Sequence, residues 1–171
     1  IGAGDLGIRY LLPIFPLIFI WVSRIVPEYW PNTVGRVALV ALLAWQGWAA
    51  LSSFPNYIPY FNEVAGGAKG GIDILDDSNV DWGQGIKQAG EYVKRKGLMP
   101  VSIYSFSPLD NPPYYGLPPY QPPDPLLYKR PAPGYYIVSA HHLTRLRLLD
   151  PGWRKYQPID RIGESLWVYE F

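Results

Sequence analysis

Two long apolar runs constrain what this chain can fold into more than any other feature of it. Residues 8–26, IRYLLPIFPLIFIWVSRIV, are almost wholly apolar over the roughly 20 positions that a helix needs to cross about 30 Å of hydrocarbon. Residues 37–54, VALVALLAWQGWAALSSF, form a second such run, in which Gln46 is the one strongly polar interior residue. Its neighbours Trp45, Gly47 and Trp48 suit a face that packs on protein in place of lipid. Pro13 and Pro16 would break a helix in water. In lipid, neighbouring helices re-satisfy the freed carbonyls, so a kink is predicted and not a stop. Both runs are therefore expected to span a membrane.

Composition divides the chain at the same place. The average over 171 residues, 49% hydrophobic with a mean hydropathy of −0.03, suits either solvent. Charged residues are scarce up to about Phe54, and acids, bases, Gly and Pro return from Asn56 onward. Residues 1–54 are thus expected to be a helical membrane region, residues 55–71 a connector, and residues 72–171 a water-soluble domain. Residues 1–7 show neither Met nor a basic segment ahead of the apolar run. They do not have the form of a signal peptide, and the chain reads as part of something longer.

Between the runs lies PEYWPNTVGR, where Tyr29 and Trp30 suit the headgroup level and Arg24 and Arg36 bracket the loop. Counting positive charge makes this loop cytoplasmic, with Arg9 and Lys69 opposing from the other side. The soluble domain is then expected outside the cytoplasm. Arg9, beside the mouth of the first run, is placed either to hold a lipid phosphate or to snorkel to the interface.

A net charge of +1 supplies no basic stripe to neutralise phosphates, so nucleic acid is not an expected partner. The lack of cysteine excludes disulfides, thiolate metal sites and Cys nucleophiles.

The Gly66–Gly71 run GGAKGG reads as a flexible linker, and IDILDDSN after it as a short strand entering a turn. Residues 84–96 carry Ile86, Ala89, Gly90 and Val93 on one face, which predicts a helix stopped by Gly97. Strands are expected over 101–106 and 135–140, a helix over 142–149, and a last strand over 165–171. Residues 107–133 contain too many prolines for a helix or a central strand and are expected to be an extended loop. That order, β-α-β-loop-β-α-β, predicts a small α/β domain with a largely parallel sheet.

The segment DDSNVDWGQG, residues 76–85, carries the densest polar chemistry. It lies where a strand hands over to a helix whose amino-terminal amides can bind an anion. The alternative reading makes Asp77, Ser78 and Asn79 turn and cap residues, with Trp82 over the core edge. Asp77, Asn79 and Asp81 also have the alternate spacing of a calcium loop. However, Gly83 comes one place late, and Gln88 stands where a bidentate Glu is needed, so no metal is expected. His141 and His142, being adjacent, do not face one site from a helix. The tyrosines of residues 107–133 either stack on a sugar or lipid-linked substrate or shield an irregular loop.

Taken in order, GIRYLLPIFPLIFI, FPNYIPYFNEVAGG, DDSNVDWGQGIKQAGEYVK, GYYIVSA and IGESLWVYEF resemble the carboxyl-terminal third of bacterial GT-C-type membrane glycosyltransferases. These are related to protein O-mannosyltransferases and to the aminoarabinose transferase of lipid A. The resemblance spans nearly the whole chain. It implies a polyprenyl-phosphate-linked sugar as donor, a site on the extracytoplasmic side of the bacterial cytoplasmic membrane, and no further cofactor. It also draws Asn62 and Glu63 of YFNE, with Arg9, into a candidate substrate or lipid-phosphate set. Asp77, Asn79, Asp81, Trp82 and Gln84 form a candidate structural or binding turn. The family's catalytic acid lies in an amino-terminal multi-span region, and no residue here matches it. The chain alone is accordingly expected not to catalyse. Its expected partners are membrane lipids and other transmembrane helices. The competing expectation is an accessory subunit, descended from such an enzyme and docked in a larger membrane complex.

Overall fold

The computed structural model describes residues 8–74, 79–105, 111–120 and 131–171, with the side chains of Ile8 and Arg9 excepted. The chain divides into two compact units, Ile1–Tyr57 and Ile58–Phe171.

The first unit is helical. A 3₁₀ segment, Ile8–Ile14, contains Pro13 and leads into α1 (Phe15–Ser23), with Pro16 in its first turn, where a missing amide costs nothing. The α-helical hydrogen-bond pattern lapses at Arg24, which keeps helical dihedrals (φ −63°, ψ −21°), and resumes as α2 (Ile25–Tyr29). Helix α3 (Thr33–Ser52) begins four residues before the predicted run, because the Asn32 carboxamide accepts a hydrogen bond from the Val34 amide at 2.9 Å. The stretches Tyr10–Tyr29 and Thr33–Ser52 are each long and apolar enough to cross a membrane. Val34, Val40, Leu43 and Trp48 lie on different sides of α3, and all are exposed. A helix apolar on every side requires cover from something other than water.

The second unit opens with a 3₁₀ turn, Glu63–Ala65, and α4 (Gly67–Gly71). The glycine-rich run expected to be a flexible linker therefore includes a single helical turn. Gly71 is buried there against the Phe61 ring, which a Cβ would overlap. Residues 72–74 form a turn where a strand was expected. Helix α5 (Ile86–Lys96) follows, ended by Gly97 at φ +65°, whose amide donates to the Val93 carbonyl at 2.8 Å. Strand β1 (Val101–Tyr104), strand β2 (Tyr135–Ser139) and α6 (Ala140–Leu149) lie close to their predicted places. Strands β3 (Asp160–Ile162) and β4 (Leu166–Glu170) close the domain as a hairpin, of which only the second strand was anticipated.

The sheet order is β1-β2-β4-β3, with β1 parallel to β2 and both remaining pairs antiparallel. The expected largely parallel sheet is therefore corrected to a mixed one. The three residues joining β3 to β4 include Gly163 and Glu164 at positive φ, and this sharp reversal leaves no length for a crossover. Alternation along β2 and β4 separates two cores. Tyr136, Val138, Trp167 and Tyr169 face α6 and Trp153, whereas Ile137, Leu166 and Val168 face α5. The result is a three-layer α/β/α unit.

Candidate functional site at the carboxyl edge of the strand pair

Open α/β sheets place ligands outside the carboxyl ends of their parallel strands. At that edge β2 ends in Ser139, which pairs with Leu166, and the Ala140 amide donates to the Ser165 carbonyl at 2.9 Å. Gly85, just before α5, comes so close that a Cβ would lie 2.9 Å from Leu166 Cδ1 and 3.3 Å from Ser165 Oγ. The edge thus gathers Ser139, Ser165 and the 79–85 turn. Among the described residues the fully buried polar side chains are Asp81, Ser139 and Ser165, so all three belong to this one region.

The turn is held by its own side chains. Asp81 Oδ1 accepts from the Gly83 amide at 2.9 Å, an Asx turn. Gln84 Oε1 accepts from the Trp82 amide at 2.6 Å, while its Nε2 donates to the Val80 carbonyl at 2.9 Å. Gly83, at φ +81°, supplies the left-handed bend between them. The expectation that these side chains cap the following helix is corrected in one respect. The residue before α5 is Gly85, which offers no side-chain cap. Asp81 and Gln84 bond the amides of Gly83 and Trp82, ahead of the helix. Trp82 stands 51% exposed beside them.

Ser139 caps α6, its Oγ accepting from the His142 amide at 3.5 Å and lying 3.3 Å from His142 Nδ1. Burial, reinforced by the nearby positive groups of His141 and Arg145, pushes the His142 pKa down to about 4. The imidazole is neutral at ordinary pH. A neutral His beside a Ser hydroxyl is the pair used to activate a nucleophile. Here, however, Ser139 is completely buried, so the pair acts as a helix cap.

Of the remaining predicted residues, Asn62 and Glu63 belong to the turn that opens the unit. Asn62 caps the 3₁₀ turn, its Oδ1 accepting from the Ala65 amide at 3.0 Å, and Glu63 is exposed in the first position of that turn. Asp77 and the Arg9 side chain lie outside the described residues, as does much of the Pro- and Tyr-rich loop. Among the described residues no three His, Asp or Glu side chains are grouped to hold a metal ion. Sequence reasoning missed Arg161. Its half-buried guanidinium donates to the Ala68 carbonyl at 2.7 Å and to the Glu164 carbonyl, approaches Glu164 Oε2 at 3.3 Å, and lies 4.4 Å from the Trp167 ring centre. It fastens α4 to the β3–β4 turn, 93 residues away. The Gly-Glu-Ser reversal ahead of an alternating strand is the signal that could have located it.

Neither family models, nor curated proteins, nor solved structures yield a match to this chain.

Proposed function

We propose that the chain is a membrane-anchored module: the two apolar helices lie in a lipid bilayer, and the α/β unit works in water beside it. The carrying observation is that helices of membrane-crossing length expose apolar side chains on all sides. Leaving them in water would cost on the order of 25 cal/mol for each Å² of apolar surface.

Within that reading the module is the carboxyl-terminal region of a GT-C-like glycosyltransferase. The support is the ordered set of motifs and a sheet edge at which Asp81, Gln84 and Ser139 hold the turn and cap together, while the buried Ser165 hydroxyl makes no hydrogen bond with a described residue. Such an edge shapes and steadies a substrate face without performing acid-base chemistry. Its donor would be a polyprenyl-phosphate-linked sugar, its location the bacterial cytoplasmic membrane with the domain outside, and its neighbours lipid and further transmembrane helices. The same edge equally fits the rival reading, an accessory subunit of a larger membrane complex.

Reconstitution tests these readings. In proteoliposomes supplied with a polyprenyl-phosphate sugar and membrane acceptors, the chain alone should transfer nothing. When isolated from native membranes it should accompany a multi-span region that does transfer sugar. Association with a complex lacking that activity would favour the subunit, and transfer by the chain alone would overturn both.

A further inference from the structure

We propose that the break between α1 and α2 is a binding site for a phospholipid headgroup carrying both a phosphate and a primary ammonium. The proposal rests on the reading that these helices lie in lipid. At the break an open recess of about 570 Å³ is lined by Trp21, Arg24, Ile25, Pro27 and Glu28. A second recess of about 360 Å³, lined by Val26, Pro27, Trp30 and Pro31, adjoins it through Pro27 and is almost wholly apolar. The site thus offers one cation, one anion and aromatic cover, with an apolar surface alongside.

The two charges stand four residues apart, yet neither makes a side-chain ion pair with a described residue. Arg ahead of Glu is the less favourable order for a helical pair, and the α-helical hydrogen-bond pattern lapses at Arg24 between the helices. Opposite charges left apart at the end of an apolar helix leave room for a ligand that bridges them. An ethanolamine headgroup does so. Its phosphate accepts two parallel hydrogen bonds from the Arg24 guanidinium, and its ammonium donates to the Glu28 carboxylate. The Trp21 ring suits the boundary level. A choline headgroup has no N–H to donate, and a glycerol headgroup has no cation for Glu28. The site therefore discriminates among lipids by charge arrangement and not by net charge.

Native mass spectrometry of the full chain released from nanodiscs of equal phosphatidylethanolamine, phosphatidylcholine and phosphatidylglycerol reads this selectivity. The ethanolamine lipid should be retained about three- to fivefold over each of the others, the range one exposed ion pair supplies. Glu28→Gln should abolish its advantage over phosphatidylglycerol, and Arg24→Ala should lower retention of both. Arg36→Ala should change neither. Equal retention of the three lipids, or preference for phosphatidylglycerol, overturns the proposal. Displacement by soluble glycerophosphoethanolamine as effective as by the lipid overturns the assignment to a bilayer component. Failure of the chain to float with vesicles of this composition would instead sink the membrane reading beneath it.

Discussion

At the scale of single residues, His142 and Gln84 carry the clearest consequences. His142 is held neutral with a pKa near 4, against about 6.5 when unfolded, chiefly by burial. The unfolded chain therefore takes up a proton first as pH falls. Stability contributed by the neutral ring is present above pH 6.5 and is lost as pH falls through the folded pKa. After discounting for partial exposure the loss is about 1–2 kcal/mol. Thermal unfolding followed from pH 7.5 to 4 should show this decline, and His142→Gln should flatten it. An unchanged slope in the variant would place the acid sensitivity elsewhere. Gln84 holds both an amide and a carbonyl of its turn, so Gln84→Ala should lower stability by about 1–2 kcal/mol. Added calcium should leave the melting temperature of the parent protein unchanged. A calcium-dependent rise abolished by Asp81→Ala would restore the metal reading of this segment.

At the scale of elements, Gly90 shows packing overruling helix propensity. It lies in the interior of α5, where alanine ordinarily gains up to about 1 kcal/mol. A Cβ there would fall on the Tyr115 carbonyl oxygen and 3.0 Å from Tyr115 Cβ, in the 3₁₀ turn Pro112–Tyr115. Gly90→Ala should therefore destabilise the domain, by about 1–3 kcal/mol net. Urea unfolding measures it. A stabilised variant would mean that the 112–115 turn yields freely and does not depend on α5. Tyr92, two residues on, donates to Asp160 Oδ2 at 2.7 Å and so ties α5 to β3. Burial, with the carboxylate beside it, raises that phenol to about 12, the direction expected of a tyrosine kept protonated by its partner.

At the scale of the whole molecule, the two units meet different physical demands. The Ile58–Phe171 unit packs an apolar core on each face of its sheet. The helices of the first unit expose their apolar residues. Extraction at high pH without detergent should leave the chain in the membrane pellet, and its release would end the anchored reading. With α1–α2 and α3 both crossing, Arg24 and Arg36 favour a cytoplasmic loop and an external domain. A cysteine at the exposed position Lys94 should then react with an impermeant maleimide in intact spheroplasts. Labelling only after lysis would reverse the orientation.

The sequence by itself determined what depends on local periodicity and covalent limits. The two apolar helices are legible as long apolar runs, α5 in the spacing of Ile86, Ala89, Gly90 and Val93, and its end in a glycine free to adopt positive φ. The turn at 79–85 was legible as polar and helix-adjacent, but not in its bonding. Asp81 reaches the amide two places on and Gln84 reaches back to Trp82 and Val80, a choice among several local partners that composition does not make. Only the tertiary structure decided that β4 runs antiparallel to β2, because strand direction follows from the return path of the chain and not from residue preference. It alone turned residues 72–74 into a bend, although their alternation suits a strand, since Ile72 packs into the core beside α6. It alone revealed Arg161, whose partners Ala68 and Trp167 come from segments far apart in the sequence. Contacts of that range arise from the mutual burial of layers, which no short window of residues encodes.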